Sequence, residues 1–246
     1  MIYLISDVLK RVFYPDDYGC IVCEERGMSR KEHSGAVICD ECVKSFYKVT
    51  APVCMKCGRS VGGEGSLCRL CAKNDFLFGS AASVYNYKGN VKNIIHRLKY
   101  SGEQWLADFG GNEMSVKYES LGWNCDFITY VPMYHAKEMK RGYNQAKLLA
   151  DIVASNSGTE CLPLLVRAKN TTPQSLLDRD ERTQNMIDAI CVADEYKDKT
   201  KNKSILVIDD ILTTGTSLNE CTKALLNCGA AKVYGLCMCS VGDVGR

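Results

Sequence analysis

The sequence predicts an α/β fold, a mostly parallel sheet covered by helices, with a smaller cysteine-rich module in front of it. Three observations predict this. Strand-like and helix-like segments alternate from residue 79 onward. Eight of the 15 cysteines fall in four CxxC pairs before residue 72. An apolar run at 204–208 delivers two adjacent aspartates to a Thr/Gly turn that opens a helix. A chain of 246 residues accommodates one ordinary domain and a small accessory one. The expected division is an amphipathic helix at 1–15, the cysteine-rich module at 16–78 and the α/β domain at 79–246.

The elements of the larger domain follow in order. Residues 80–87 alternate weakly and end at Lys88-Gly89, as a strand entering a turn does. The stretches 91–100 and 105–121 read as helices, and 126–131 as a strand stopped by Pro132. A helical apolar stripe marks 144–154. Short strands are expected at 162–166 and 189–193, with a long polar stretch between them. Residues 204–208 form a continuous buried-strand run, 217–227 a helix closed by Gly229, and 231–239 a last strand.

Composition sets bounds on function. Hydrophobic residues at 46% and charged residues at 24% suit a globular protein with a sizeable core. A formal net charge of +2 excludes binding to nucleic acid or membrane by global charge, so any such binding needs a local patch. At the start of the chain Ile2, Ile5, Leu9 and Val12 stand at helical spacing before Pro15, while Asp7, Lys10 and Arg11 interrupt the apolar stretch. A docking helix is expected there rather than a signal peptide. No run approaches the length that spans a bilayer. Seven further cysteines (Cys125, Cys161, Cys191, Cys221, Cys228, Cys237 and Cys239) occur singly, mostly in apolar runs, where a thiol packs as a small hydrophobe. That usage fits a reducing compartment, and a cytoplasmic location is expected.

The paired cysteines carry a metal pattern. Cys20, Cys23, Cys39 and Cys42 give C-x2-C-x15-C-x2-C, and Cys54, Cys57, Cys68 and Cys71 give C-x2-C-x10-C-x2-C. Each CxxC places two thiolates on one tight turn, and two such turns surround a tetrahedral ion. Structural zinc is the expectation, ahead of disulfides, a redox CxxC or an iron–sulfur cluster. With eight thiolates engaged, no coordination position stays open for catalysis, and His33 need not be a ligand. Sequential pairing makes two sites; a cross-braced arrangement joining the first pair to the third is left open.

The richest segment is ILVIDDILTTGTSL at 205–218. An apolar strand brings Asp209 and Asp210 to its carboxyl end, where open α/β sheets bind ligands. The turn after it offers backbone N–H groups, the hydroxyls of Thr213, Thr214, Thr216 and Ser217, and a helix N-terminus, which together favour a phosphate dianion. Gly215 lets the backbone come close to it. The carboxylates suit ribose hydroxyls, with Mg²⁺ reached through them. The competing reading is a strand followed by a capped helix, in which the threonines only satisfy the helix's first amides. A Walker loop is excluded, because no Lys follows the glycine.

This segment resembles the 5-phosphoribosyl-1-pyrophosphate (PRPP) motif of type I phosphoribosyltransferases, and nearly the whole chain resembles the ComF family. Its features run in order: an N-terminal amphipathic helix, CxxC pairs, IHRLKYSGE at 95–103, VPMYHAKEMKRGYNQAKLLA at 131–150, PQSLLDRDERTQNM at 173–186 and the PRPP loop. The resemblance implies a type I phosphoribosyltransferase-like sheet, PRPP as ligand with Mg²⁺, and a link to natural competence and DNA uptake. It implies a glycosyl-transferring enzyme if the protein is catalytic. Asp209 and Asp210 would hold the ribose, and Thr213, Thr214, Gly215, Thr216 and Ser217 the 5-phosphate. The stretch 130–141, expected as a loop, would hold pyrophosphate through Met133, Lys137 and Arg141, near His135 and Lys140. Lys99 joins this ligand-binding set. Arg141, Asn144 and Gln145 match the family's R-G-[FY]-N-Q pattern. Gln174, Arg179, Arg182 and Asn185 fall in a segment, 170–185, that forms a flap in such enzymes.

A rival reading is a nucleic-acid-handling or adaptor protein that uses the fold without catalysis. Lys88, Lys92, His96, Arg97 and Lys99, interleaved with Tyr85, Tyr87 and Tyr100, could track single-stranded DNA, or form one solvated helix face. An adaptor would dock a helicase-like competence protein through the zinc module. For the aspartates, adjacent carboxylates at a strand end are expected to repel one another and to accept few internal hydrogen bonds, so that replacing both by asparagine keeps or slightly raises the melting temperature.

The cysteine pattern yields a direct expectation. Elemental analysis should find about two zinc ions per chain, and Cys54→Ser should unfold cysteine-rich structure while residues 79–246 stay folded. Structural zinc sites supply on the order of 10–16 kcal/mol of apparent folding energy in small modules. Zinc-free protein that resists proteolysis across residues 16–75 would contradict this.

Overall fold

The computed structural model describes residues 19–25, 30–63, 67–167 and 190–243. The expected N-terminal helix at 1–15 and the polar segment 170–185 lie outside the described residues. The chain opens with a hairpin, β1 (Arg30–His33) and β2 (Ala36–Cys39), followed by single helical turns at Asp40–Val43 and Arg69–Lys73. Then come β3 (Ser80–Asn86), α1 (Asn90–Tyr100), α2 (Leu106–Leu121), β4 (Phe127–Tyr130), α3 (His135–Arg141), α4 (Gln145–Ser157), β5 (Glu160–Cys161) and β6 (Leu165–Arg167). After the undescribed stretch follow β7 (Ile190–Val192), β8 (Ser204–Leu212), α5 (Thr216–Asn227) and β9 (Lys232–Ser240).

Five of these strands form a sheet ordered β3-β9-β8-β4-β5, parallel throughout. Strand β8 is apolar on both faces, as a central parallel strand must be. Its alternating residues divide the core. Leu206 and Ile208 pack with Leu236 and Met238 against the helices α1, α2 and α4. Ile205 and Val207 pack with Val233 and Cys237 beneath α5. Helix α1 contributes Val91, Ile94, Ile95 and Leu98, all fully buried at i, i+3, i+4 and i+7.

The alternation of strands and helices read from the sequence is present, with four local differences. The strand expected at 162–166 is split into β5 and β6, because Pro163 has no N–H for a ladder. Strand β8 runs past Ile208 to Leu212 because β9 stays beside it, pairing Leu212 with Ser240. The stretch 130–141, expected as a loop, contains the two-turn helix α3. The cysteine-rich module is not a separate body held by metal alone. Cys20, Ile21, Ile38 and Cys39 join the core on the α1–α2 side, and Cys54, Cys57, Cys68 and Cys71 join the core on the α5 side. This corrects the expectation that Cys54→Ser would leave residues 79–246 undisturbed: their α5-side core loses packing too.

Specific polar contacts tie the module down. Residues 47–49 run antiparallel along the outer edge of β3, with Asn86 N donating to Tyr47 O (2.8 Å) and Val49 N to Val84 O (2.8 Å). This covers an edge that would otherwise be open to pairing with other chains. Buried Glu113 accepts from Ser34, from the Tyr85 hydroxyl (2.7 Å) and from Lys48 Nζ (3.0 Å). Burial works against its charge, but these donors more than offset that and hold its pKa below the usual value. Arg97 donates to Ile21 O (2.6 Å) and pairs with Glu103.

These contacts engage part of the basic stretch inside the fold. Arg97 and Tyr85 point inward to partners, and Lys99 pairs with Asp210. Only Lys88, Lys92, His96 and Tyr100 of that set are exposed. Among the described residues, no helix is long and apolar enough to cross a membrane.

Gly58, directly after Cys57, sits at φ +66, and an added Cβ would lie 2.5 Å from Ala81 O and 2.8 Å from the Cα of Ala82. Gly58→Ala therefore forces ribbon and β3 apart and strains the backbone. The expected loss is about 2–4 kcal/mol from the clash and the left-handed conformation together, read as a fall in Tm. An unchanged melting curve would show that this contact does not form.

Candidate functional site

The site lies where the sheet changes direction. From β4 the chain winds outward to β5, and from β8 it winds back to β9, so the loops after β4 and β8 diverge and leave a crevice between them. Strand β4 stops short: Val131 N donates to Ile208 O (3.0 Å), and Pro132 then offers no N–H. Beyond Ile208, β8 keeps its partner on one side only. That leaves Asp209 and Asp210 facing a cleft of ≈ 290 Å³. Lys99, Met133, Lys137, Arg141, Asn144, Gln145 and Arg167 share its walls.

The two aspartates differ sharply. Asp210 is buried, and Lys99 Nζ lies 2.8 Å from its Oδ2. Burial works against the Lys99 charge, but Asp210 more than offsets this and raises the lysine pKa. Asp210 thus has a strong internal partner, against the expectation that replacing the pair leaves stability unharmed. Asp209 accepts only its neighbour's backbone N–H, Asp210 N to Oδ1 at 2.9 Å, among the bonds described. Burial first, and the Asp210 charge second, push its pKa up to about 7.

Cations surround the remaining wall. Arg141 lies over the Tyr100 ring (5.3 Å to the centroid), and Arg167 over the Tyr134 ring (4.1 Å) while its Nε donates to Pro132 O (2.9 Å). Asn144 caps α4 by accepting from Ala146 N (3.0 Å) and donates to Val131 O (3.0 Å), which fixes the chain between β4 and the helix. Gln145 is 2% exposed, lines the cleft, and its Nε2 finds no hydrogen-bond partner among the described residues. A buried amide left this way is a donor waiting for an acceptor.

Past the aspartates the chain turns through Thr213, Thr214 and Gly215 into α5. Gly215 is buried at φ +86, and Phe76 packs against it. No side chain caps the helix at Gly215. The Thr214 hydroxyl contacts the Thr216 hydroxyl (2.9 Å) and accepts a long bond from Thr216 N (3.4 Å). Self-capping thus accounts for one amide, and Thr213, Thr214, Thr216 and Ser217 remain exposed.

The structure brings Asp209, Asp210, Lys99, Met133, Lys137 and Arg141 to one cleft, with Thr213–Ser217 at the end of the same strand. Gln174, Arg179, Arg182 and Asn185 lie outside the described residues. His135 and Lys140 are exposed and absent from the cleft wall. Sequence reasoning missed Arg167, Tyr134 and Tyr100 as wall residues. A single Arg closing the short run Leu165–Arg167 carries no local signal of a site.

The cysteines form two clusters paired in sequence order, Cys20/Cys23/Cys39/Cys42 and Cys54/Cys57/Cys68/Cys71, each with all ligand atoms within 4.8 Å of one another. Tetrahedral zinc with bonds of about 2.3 Å sets its sulfurs about 3.8 Å apart. Cys23 Sγ to Cys39 Sγ is 3.8 Å, and Cys57 Sγ to Cys68 Sγ is 3.6 Å. Both clusters share one plan: Cys39 N donates to Cys20 Sγ and Cys42 N to Cys39 Sγ, as Cys68 N does to Cys54 Sγ and Cys71 N to Cys68 Sγ (3.3–3.4 Å). Burial raises the Cys20 and Cys54 thiols, but backbone N–H groups outweigh it and lower each to about 7. The residues fit structural zinc.

Comparison with known proteins agrees. The double zinc ribbon domain family matches residues 9–72, and the phosphoribosyl transferase domain family matches residues 168–243. Fold and matches define a phosphoribosyltransferase-type domain behind a double zinc ribbon. Within that class the sequence relatives carry competence and DNA-utilization names, in keeping with the ComF resemblance of its motifs. The chain is 26% identical to competence protein ComFC of Bacillus subtilis over 201 residues, covering 79% of this chain and 80% of that one. It is likewise 26% identical to competence protein F of Haemophilus influenzae over 223 residues (88% and 94%), and 23% identical to the DNA utilization protein YhgH of Escherichia coli K12 over 219 residues (82% and 89%). Similar solved structures include glutamine PRPP amidotransferase from B. subtilis, with TM-score 0.40 and 14% identity, covering 54% of this chain and 26% of that one. Purine phosphoribosyltransferase from Pyrococcus horikoshii has TM-score 0.33 and 14% identity, covering 55% and 73%.

The unequal aspartates make a testable pair. Asp209 has a folded pKa raised from 3.8 to about 7, so its contribution to stability is present below about pH 4 and lost as the pH rises toward 7. Asp209→Asn should therefore gain on the wild type across that interval, by about 1 kcal/mol or more, or about 2–4 °C in Tm. Asp210→Asn should lose about 3 kcal/mol, because it leaves Lys99 buried and unpaired. Melting curves of both variants from pH 4 to 8 check this; equal effects would mean the two carboxylates share one environment.

Proposed function

We propose that this protein binds PRPP with Mg²⁺ in the cleft between β4 and β8, and that it acts in the handling of DNA taken up by the cell. The observation that carries the reading is the junction of unlike groups on one strand end. Two carboxylates on β8 adjoin a Thr/Gly turn at a helix N-terminus, and arginines stand across the cleft. A phosphorylated sugar offers matching chemistry. Its 5-phosphate takes the amides and hydroxyls of Thr213–Ser217. Its 2- and 3-hydroxyls donate to Asp209 and Asp210.

The pyrophosphate lies toward Lys137, Arg141, Arg167 and the Gln145 amide. Mg²⁺ would sit among the ribose hydroxyls and pyrophosphate oxygens, drawing charge from the leaving group. If transfer occurs, the bond from ribose C1 to the pyrophosphate oxygen breaks and a bond from C1 to a nitrogen nucleophile forms. Pyrophosphate departs with the bonding electron pair. The protein's part is to position the groups and to stabilise charge. The link to DNA uptake draws support from relatives named for competence and DNA utilization. The nucleic-acid-handling reading, with single-stranded DNA along the basic stretch, has less support, because Arg97 and Lys99 are engaged inside the fold.

Calorimetric titration of PRPP with Mg²⁺ tests the reading, with ribose 5-phosphate as the control ligand. Arg167→Met should weaken PRPP binding about tenfold to a hundredfold, the value of a hydrogen bond to a charged group. Ribose 5-phosphate, which lacks the pyrophosphate, should bind this variant as well as it binds the wild type. No heat of binding for the wild type at millimolar PRPP would sink the reading.

A further inference from the structure

The second zinc ribbon touches the phosphate turn through one side chain. Arg59 follows the Cys57–Gly58 knuckle and is 3% exposed. All three of its nitrogens have partners. Nε donates to Cys57 Sγ (3.2 Å), Nη1 to Val241 O (3.1 Å) and Nη2 to Thr213 O (2.8 Å). Cys57 belongs to the metal cluster, Thr213 opens the phosphate turn, and Val241 follows β9.

The third contact fixes more than one atom. A peptide unit is planar and trans, so its C=O and N–H point in opposite directions. Holding the Thr213 carbonyl from behind therefore turns the Thr214 N–H to the opposite side, into the turn. The rest of the turn has its own supports from the same part of the chain. Phe76 packs on Gly215, and Leu77 N donates to Asn219 Oδ1 (2.7 Å) in the first turns of α5. With Gly215 giving the helix no side-chain cap, a turn prepared for an anion needs external scaffolding, and the ribbon supplies it.

We infer that Arg59 is a positioning residue that couples the second zinc ribbon to the phosphate turn. A metal-bound thiolate at Cys57 holds the guanidinium, and the guanidinium holds the Thr213 carbonyl. A zinc site of four thiolates carries net negative charge, which suits a buried guanidinium better than neutral thiols do. Losing zinc frees the Cys57 knuckle to move, which releases Arg59 and lets the Thr213–Thr214 peptide rotate. Coupling free energies are reciprocal, so a ligand that needs the ordered turn must also protect the zinc. This inference rests on the reading above that the turn binds a 5-phosphate.

The test uses the full zinc-loaded chain, with Arg59→Lys and Arg59→Gln as variants and ribose 5-phosphate as the probe. Lysine keeps the charge but lacks the planar fork that reaches three acceptors at once. Zinc content establishes that each variant carries both ions. Hydrogen exchange then reads the amides of 213–217, calorimetry reads ribose 5-phosphate affinity, and transfer of zinc to a chromogenic chelator is timed with and without the probe.

In the wild type, the probe should slow the release of half of the zinc several-fold. In zinc-replete variants, the turn amides should exchange about tenfold faster, affinity should fall about tenfold, and the probe should no longer slow zinc release. A merely structural Arg59 would lower Tm and leave the probe's protection of zinc intact, which overturns the inference. The wild-type arm needs no variant: a probe that binds yet leaves zinc release unchanged also overturns it. If the wild type does not bind ribose 5-phosphate, the phosphate reading fails first. Exchange at 213–217 still decides whether Arg59 orders the turn, and unchanged exchange in the variants refutes that too.

Discussion

Strand β8 continues to Leu212 after its last pairing with β4 at Ile208, and this mismatch underlies the rest of the site. Pro132 causes it by ending the neighbouring ladder. A strand end paired on one side only presents backbone and side chains to a gap, and here the gap falls where the chain's winding reverses. If β4 continued beside β8, Asp209 and Asp210 would be enclosed in a sheet interior that no carboxylate pair tolerates. The early stop turns an electrostatic liability into a wall of a cleft. It also frees the chain from Val131 onward to cross to α4, with the Asn144 side chain binding both the Val131 carbonyl and the Ala146 amide. One missing N–H thus places the carboxylates, the arginine-bearing wall and the orphan amide of Gln145 around a common space.

The zinc ribbons complete what the sheet leaves unfinished. A five-stranded parallel sheet needs cover on both faces and on its edges. The helices α1, α2 and α4 cover one face. On the other, α5 shares the work with the four cysteines of the second ribbon, which stand in the same apolar cluster as Phe78, Val207 and Leu218. Residues 47–49 occupy the free edge of β3. Metal ligands are therefore core residues here. The energy that zinc supplies to fold the ribbons also stabilises the sheet they cover. Glu113 shows the same integration from the other side, since its carboxylate gathers Ser34 and Lys48 of the module with Tyr85 of β3.

Much of this was legible in the sequence, and the rest was hidden for a physical reason. The strand run at 204–208, the aspartate pair and the Thr/Gly turn are local features, set by residues within about ten positions of one another, and pattern reading finds them. The CxxC spacing declared two clusters, though only the fold could choose sequential pairing over a cross-braced one. What stayed hidden are pairings across long separations. Lys99 meets Asp210, Arg59 meets Thr213 and Arg167 meets Pro132, and nothing near any of these basic residues marks its partner. The basic stretch 88–99 is opaque for the same reason. Periodicity shows that one helix face is charged, but not that Arg97 and Lys99 reach back into the protein. Pro163 is visible in the sequence, but the apolar residues on either side of it carry the stronger strand pattern.

The distribution of charge in the cleft follows from these pairings. Lys99 and Asp210 neutralise one another, which removes both from the balance a ligand meets. Arg141 and Arg167 present guanidinium groups to the cleft, held in place by aromatic rings and a backbone carbonyl. Opposite them stands Asp209, whose charge is conditional: burial and the neighbouring Asp210 keep a proton on it up to about neutral pH. Burial and the neighbouring Asp210 favour the protonated form of Asp209, and a positive charge placed beside it favours the ionised form. A carboxylate pair that would strain the fold if both members were charged is accommodated by fixing one in an ion pair and leaving the other to ionise when a partner is present.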